Sequence, residues 1–356
     1  MMKLTTQIFI LLLLFSSCAN MVSPTGGTKD TAAPILVSIS ENKTASINEV
    51  HFIFNEYIQL NNWEENFYIS PPFNKKSQKK IKGKTLIVSI KDSLTNNTTY
   101  CLSLSNSIKD LNEGNITDSL SFVFGNTYHF DTLTLSGTLQ NAYTLKFIGN
   151  AWIMLFNQAR NDSVIFKETP NYISKTDKYG NFHFPNLNRE NYKIVSLTDF
   201  DFIYNKGEQI AFSDKLINAE QDSFISLFAF DPIVVVDSIS NTLSALTDGS
   251  KTDSVLVESI TYGNLEIITT KNSPCIFQLL QNEKVISQFK FSEQPYSLTD
   301  IIPGKYQLKF IEDADKNGEW TTGSWKNKIQ AERGLNYPEE ITIRSNWDLE
   351  LEWDLE

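Results

Sequence analysis

Short runs of β-branched and aromatic residues recur along the chain from residue 34 onward, and this repetition constrains the fold more than any other feature. Examples are residues 51–54 (HFIF), 85–90 (TLIVSI), 152–156 (WIMLF) and 192–197 (YKIVSL). Turn-forming residues separate the runs, as in the cluster at residues 112–115 (NEGN). Such spacing is typical of antiparallel β-sandwiches rather than of βαβ units. The sequence therefore predicts an all-β fold of tandem antiparallel β-sandwich domains.

The last ten residues form the clearest strand pattern. Apolar residues stand at every second position and alternate with carboxylates, in the order Trp347, Asp348, Leu349, Glu350, Leu351, Glu352, Trp353, Asp354, Leu355 and Glu356. A period of two places the apolar side chains on one face of a strand and the carboxylates on the other. We expect this strand to close a core with its acidic face in water.

Length and charge limit the function. The chain has 356 residues, with 31 Lys and Arg against 42 Asp and Glu, so its formal net charge is -11. That balance argues against a nucleic-acid partner, because Lys and Arg supply most of the affinity for phosphates. Three His and three Cys leave little for a multi-ligand transition-metal site. At about 150 residues per domain, two to three domains are expected.

The N-terminal residues have the pattern of an export signal. Lys3 precedes an apolar run at residues 8–15, and Ser16, Ser17 and Cys18 follow it. The run is too short to cross a bilayer core of ~30 Å, so residues 1–17 are expected to be a signal peptide. Small residues directly before Cys18 resemble a bacterial lipobox, which implies that Cys18 is acylated and becomes the first mature residue. An ordinary signal peptide with an unrelated cysteine is the alternative.

A lipidated Cys18 would set the location. Residues 18–30 are small and polar, as in a flexible tether. Acyl chains on Cys18 would anchor the protein to a membrane without spanning it. Ala19 after the cysteine fits export to the outer membrane, and the lack of an acidic run there favours its periplasmic face over the cell surface.

Residues 31–127 carry an ordered set of motifs. They are Asp30 to Pro34 (DTAAP), 52–56 (FIFNE), 94–100 (LTNNTTY), 108–115 (IKDLNEGN) and 122–124 (FVF). Together these motifs resemble the S-layer type of bacterial Ig-like domain. The resemblance implies a sandwich of about seven strands that serves as a spacer, structural or adhesive module.

Beyond residue 128 the sequence repeats itself. The pattern of residues 182–201 (two apolar residues around a polar one, Leu, Tyr-x-Ile, Asp-x-Asp) recurs at residues 296–315 with Ile in place of Leu and Tyr-x-Leu in place of Tyr-x-Ile, displaced by 114 positions. Each copy resembles a prealbumin-like module, which implies two such sandwiches at residues 128–235 and 236–356. With the lipobox and the Ig-like domain, the chain resembles a Bacteroidetes-type outer-membrane lipoprotein, a family that implies no biochemical activity.

The acidic loop of the second copy is the strongest candidate for a ligand-binding site. Asp313, Asp315 and Asn317 offer oxygen atoms at alternate positions and Gly318 allows a sharp turn, as a structural calcium site requires. The alternative is that these side chains bind their own backbone and close a turn between strands. The first copy begins with Asp199 and Asp201 and has a different spacing. No other cofactor is predicted.

Two tryptophans follow the acidic loop in a polar stretch. An exposed Trp320 or Trp325 could stack on a sugar ring, and packing over the end of the last sandwich is the alternative. The three His lie beside aromatic residues, and no catalytic motif accompanies them. The basic run at residues 75–82 is predicted to be a solvated hairpin, or a contact for an acidic partner.

These observations favour a lipid-anchored cell-envelope protein that is not an enzyme and acts as a structural or interaction scaffold. The alternative is a lipoprotein that binds a glycan or a peptide through its C-terminal domain. An envelope protein or glycan is the expected partner in either case.

Overall fold

A computed structural model describes residues 28–43, 48–198, 202–205, 207–232 and 261–355. The predicted signal peptide, Cys18, most of the tether, Asp199 and Asp201 lie outside these ranges. The fold is all-β, as predicted, with tandem β-sandwiches and two helical segments of at most five residues among the described residues.

The first elements belong to the N-terminal part of the chain. They are β1 (Leu36–Lys43), β2 (Asn48–Phe54), β3 (Ile58–Leu60), α1 (Trp63–Asn66), β4 (Tyr68–Ser70), β5 (Gln78–Lys82), β6 (Thr85–Ile90), β7 (Thr99–Ser103), β8 (Ile108–Asp110) and β9 (Ser121–Gly125).

The middle elements follow. They are β10 (Leu133–Asn141), β11 (Trp152–Asn157), the 3-10 helix η1 (Asp162–Phe166), β12 (Tyr172–Lys175), β13 (Asn181–Leu187), β14 (Asn191–Leu197), β15 (Ile210–Phe212), β16 (Ile217–Asn218) and β17 (Phe224–Ala229).

The last elements complete the chain. They are β18 (Gly263–Ile268), β19 (Cys275–Gln281), β20 (Lys284–Phe291), β21 (Tyr296–Ile301), β22 (Gly304–Glu312), β23 (Gly334–Ile343) and β24 (Asp348–Glu352).

The chain divides into two compact units. Among described residues, the first unit comprises 28–43, 48–66, 77–90 and 104–120. It contains the antiparallel sheet β1-β2-β6-β5 and the pair β3-β8. Alternation in β6 buries Leu86, Val88 and Ile90 and turns Thr85, Ile87 and Ser89 outward. The second unit holds the sheet β4-β7-β9 and all elements from β10 onward.

Two sandwiches within the second unit share one strand order. The first pairs the sheet β13-β10-β17 with the sheet β12-β11-β14-β15, in which β16 also pairs with β14. The second pairs β21-β18-β24 with β20-β19-β22-β23. Each has its own apolar core, with Tyr192 fully buried in the first and Tyr296 in the second. The predicted boundaries between the three domains, and the prealbumin-like resemblance, stay predictions.

Strand direction departs from the antiparallel expectation at one edge of each sandwich. β17 runs parallel to β10, and β24 runs parallel to β18. A local alternation pattern fixes which face of a strand is buried but carries no information on the direction of its neighbour. The two parallel pairs are therefore a feature that the sequence pattern did not reveal.

The last strand follows its predicted alternation with one exception. Trp353 and Leu355 are buried in the second core, and Leu349 and Leu351 pack against it while the intervening carboxylates are exposed. Trp347 was expected in the core but is 58% exposed. It precedes β24 and follows Asn346, whose φ of 54° marks a turn, so the alternation of the strand does not extend to it.

Candidate functional site

The loop between β22 and β23, residues 313–333, contains most of the residues that the sequence singled out. Its entry is closed by Asp313, whose Oδ1 accepts a hydrogen bond from the Asn317 N–H at 3.0 Å and whose Oδ2 accepts one from the Gly318 N–H at 2.9 Å. Gly318 has a φ of 76°, a region that favours glycine. The loop therefore turns where the Asp and Gly spacing predicts a turn.

Asp315 and Asn317 are bound to each other. The Asn317 amide group donates to Asp315 Oδ2 at 3.0 Å and to Thr321 Oγ1 at 2.7 Å. Thr321 Oγ1 in turn donates to Asp315 Oδ2 at 2.7 Å. The Asn317 side chain thus donates its N–H groups to the cluster, and its Oδ1, the atom that a cation would require, accepts the Glu319 N–H at 2.5 Å.

Glu332 completes the acidic cluster, and the sequence analysis did not identify it. Carboxylate oxygens of Asp313, Asp315 and Glu332 lie within 4.8 Å of one another. Glu332 Oε1 accepts the Ala314 N–H and Oε2 accepts the Thr321 N–H, each at 2.8 Å. Burial raises the pKa of Glu332, against the effect of these hydrogen bonds. The residue is 17 positions beyond Asp315, so no local spacing pointed to it.

The cluster is arranged to receive N–H groups. Backbone N–H groups of five residues, Ala314, Asp315, Asn317, Gly318 and Thr321, point their positive ends at the carboxylates. These hydrogen bonds close the loop through groups of its own, as the turn-closing interpretation requires. Calcium binding by Asp313, Asp315 and Asn317 stays an untested prediction.

Trp325 lies inside the molecule. It is 8% exposed and belongs to an apolar cluster that covers the outer face of the sheet β12-β11-β14-β15. Its ring meets Phe212 of β15 edge-on at a centroid distance of 5.0 Å, and Lys328 Nζ lies over the ring. This placement favours the packing interpretation of Trp325 over a sugar-stacking surface.

Trp320 is half-buried and also contacts the preceding sandwich. Its ring packs against Tyr143 at a centroid distance of 5.0 Å, and its Nε1 donates to the backbone oxygen of Glu332 at 3.1 Å. Two contacts therefore fix the orientation of the Trp320 ring. Ligand binding by Trp320 stays a prediction.

A buried polar group lies beside Trp320. Lys309 of β22 is 3% exposed, and its ammonium donates to the backbone oxygen of Tyr143 and lies over the Tyr143 ring. The Tyr143 hydroxyl donates to Gln278 Oε1 at 2.9 Å. Burial lowers the pKa of Lys309 to about 8. We call this set of contacts between the two sandwiches, made by Tyr143, Phe212, Gln278, Lys309, Trp320 and Trp325, the joint.

Two motifs of the Ig-like resemblance, residues 30–34 and 108–115, meet in the first unit. Asp110 accepts the N–H groups of Glu113, Gly114 and Asn115 at 2.6, 2.8 and 2.8 Å. The Asn115 amide group donates to the backbone oxygens of Asp30 and Ala32 at 3.1 and 3.0 Å. These hydrogen bonds hold the start of the domain against the turn at residues 110–115.

The remaining reactive side chains have structural surroundings. Cys101 and Cys275 are free and buried, and burial raises the pKa of each thiol to about 11, which makes it unreactive.

His51 lies 3.4 Å from Glu49 on the outer face of β2, beside a groove of about 620 Å³ that Lys80 and Lys82 also line. The basic run predicted as a hairpin thus includes the edge strand β5.

Comparison with known proteins identifies one part of the chain. Residues 30–132 match the family of bacterial Ig-like domains. No curated protein sequence matches the chain. Within the described ranges, no helix has the length and apolar character needed to cross a membrane.

The chain resembles solved structures only weakly. The Bacillus anthracis TIE protein has a TM-score of 0.20 and 10% identity over 94% of this chain, which spans 59% of that protein. A fragment of Escherichia coli alpha-2-macroglobulin covering domains MG0-NIE-MG1 has a TM-score of 0.22 and 10% identity, over 79% of this chain and 94% of that one. A streptococcal ancillary pilin has a TM-score of 0.18 and 11% identity, over 79% and 80%. Scores this low support no argument about function.

Proposed function

We propose that this protein is a lipid-anchored cell-envelope protein whose β-domains act as a non-catalytic structural or interaction scaffold. The observation that carries the proposal is the joint, because Trp320 and Trp325, the candidate ligand-binding residues of the sequence, pack one sandwich against the next. Trp325 and Lys309 are buried there, and the acidic cluster closes the loop that carries Trp325.

The Ig-like domain supports the same role. A spacer or adhesive module needs a stable β-fold at a fixed position in the chain, and residues 30–132 supply one directly after the expected tether. Acylation of Cys18 would attach this end to the membrane without a spanning helix. We place the protein at the outer membrane, with the periplasmic face favoured, and expect no nucleic-acid partner.

Fractionation of cells that express the full chain and its Cys18→Ser variant tests the proposal. The wild-type protein should remain with the envelope after high-salt washing and enter the detergent phase of a Triton X-114 separation. The variant should be released to the aqueous phase. Equal partitioning of the two proteins would contradict a lipid anchor at Cys18.

A further inference from the structure

The outer face of the sheet β13-β10-β17 presents three rows of three side chains. The pairing of β10 with β13 and β17, together with one bridge from Gln140 to Phe147, defines the rows. They are His183, Ser136 and Phe224; Asn181, Thr138 and Ser226; and Phe147, Gln140 and Phe228. Their partners on the inner face, such as Leu135 and Leu139, are buried in the core of the sandwich.

Three corners of this grid are exposed phenyl rings. Phe224 is 60% exposed, Phe147 is 53% exposed and Phe228 is 39% exposed. Single exposed apolar side chains are common on protein surfaces, but several on one face mark an interaction site more often. Phe224 and Phe228 also form one wall of a groove of about 480 Å³ along β17, beside the grid. The lining of this groove includes the charged residues Asp214, Lys215, Asp222, Glu332 and Arg333.

Neutral hydrogen-bonding groups occupy the rest of the grid. Ser136 Oγ lies 2.9 Å from His183 Nδ1, and Thr138 Oγ1 donates to Ser226 Oγ at 3.4 Å. Asn181 and Gln140 add two amide groups. Burial lowers the pKa of His183, so its imidazole is neutral at pH 7.

The charge of this face selects the class of ligand. None of its nine side chains carries a formal charge at pH 7, although 21% of the residues of the chain are Asp, Glu, Lys or Arg. A charged partner would lose hydration on this face without gaining an opposite charge. An uncharged partner with apolar patches and many hydroxyl groups would match both the rings and the polar centre.

We infer that the outer face of the sheet β13-β10-β17 binds an uncharged glycan. Sugar rings would place their C–H faces on Phe147, Phe224 and Phe228 and their hydroxyls on the Ser, Thr, Asn, Gln and His groups between them. Three rows on three strands span about 13 by 10 Å, which suits a short stretch of an extended chain. This inference rests on the proposed interaction role and names its partner class.

Affinity electrophoresis of the full chain in gels that contain soluble neutral polysaccharides tests the inference. The panel would include a β-1,4-glucan, a β-1,3-glucan, a mannan, a xylan and an α-glucan, with anionic alginate as a charged comparison. We expect at least one neutral polymer to retard the wild-type protein and alginate to have no such effect. Phe224→Ala should weaken the binding about tenfold, since a factor of ten corresponds to ~1.4 kcal/mol.

Matched variants keep this test specific. Tyr128→Ala removes a ring that is 97% exposed and lies outside the grid, and it should leave the retardation unchanged. Phe228→Ala provides a second exposed site on the grid, and thermal unfolding checks that each variant is folded. No retardation by any neutral polymer, or equal retardation of Phe224→Ala and wild type, would overturn the inference. Concentration-dependent dimerisation that Phe224→Ala abolishes would also overturn it, in favour of a second copy of the chain.

The two proposals can fail independently. Loss of glycan binding leaves partitioning of the Cys18→Ser variant as expected, because that variant tests only the anchor. Conversely, an unacylated protein that still binds glycan would contradict the anchor and support the binding face.

Discussion

At the scale of single residues, burial gives Lys309 a role that its sequence neighbours did not suggest. Its position in β22 is on the outer face of the sheet, where alternation predicts a solvated side chain. The Tyr143 segment covers it, so the ammonium is buried and donates to a backbone oxygen. Residues that become buried through contacts between domains cannot be recognised from the period of one strand.

The lowered pKa of Lys309 predicts a pH dependence of stability. Because the pKa is about 8 in the folded protein and ~10.4 in an unfolded chain, the unfolded state binds more protons between these values. Wild-type stability should therefore rise relative to Lys309→Met as the pH increases from 8 to 10, by ~2 kcal/mol. Urea unfolding at pH 7, 8.5 and 10 measures the difference, with Lys167→Met, an exposed site, as the control. A constant difference across this range would contradict the prediction.

Asp110 predicts the same direction, a stability that rises with pH, but in the acidic range. Its burial opposes ionisation, but the hydrogen bonds from Gly114, Asn115 and Glu113 outweigh that effect and lower its pKa. A lowered pKa gives stability that is present above the unfolded value of ~3.9 and is lost as the pH falls through the folded value. Asp110→Asn should therefore lower the Tm at pH 7, and the difference in Tm between wild type and variant should become smaller below about pH 4. A gap of the same size at pH 7 and pH 3 would argue against this role.

At the scale of elements, the loop 313–333 shows what residue spacing can and cannot establish. The Asp-x-Asp-x-Asn-Gly order predicted a tight turn, and the backbone hydrogen bonds to Asp313 confirm that turn. The same order did not reveal Glu332 or the burial of Trp325, because both depend on contacts with residues far along the chain.

Trp325 should be a strong determinant of stability. Its ring is enclosed by the apolar cluster of the preceding sandwich, so Trp325→Ala leaves a cavity there. Replacing a buried Trp by Ala typically costs about 3–5 kcal/mol. Trp347→Ala serves as the matched control, since Trp347 is 58% exposed and surface changes stay within about 0.5 kcal/mol. Urea unfolding of both variants measures the loss in free energy of unfolding. Similar losses for Trp325→Ala and Trp347→Ala would contradict a stabilising role of Trp325 in the joint.

Calcium should have little effect on the loop. The carboxylates of Asp313 and Glu332 are already occupied by backbone N–H groups, whose dipoles oppose a cation. We therefore expect the Tm of the full chain to be the same in millimolar calcium and in EDTA. A calcium-dependent rise that Asp315→Ala abolishes would instead support the calcium site, since Asp315 is exposed and its removal leaves the turn at Asp313 in place.

At the scale of the whole molecule, periodicity was enough to predict the all-β class, and the ordered motifs were enough to predict an Ig-like domain at residues 31–127, where the family match covers residues 30–132. The repeat at residues 182–201 and 296–315 anticipates the common strand order of the two sandwiches. The parallel edge strands and the joint were not predictable, because they depend on pairing and packing between distant residues.

The central proposal is that Cys18 fixes the chain to a membrane and that the β-domains follow it along the chain. Mass spectrometry of the N-terminal peptide from protein purified out of the envelope tests this claim most directly. The predicted peptide begins at Cys18 and carries a diacylglyceryl group on sulfur and an acyl chain on its amino group, and Cys18→Ser lacks both. A mature peptide with an unmodified Cys18, or one that retains residues 1–17, would contradict the claim.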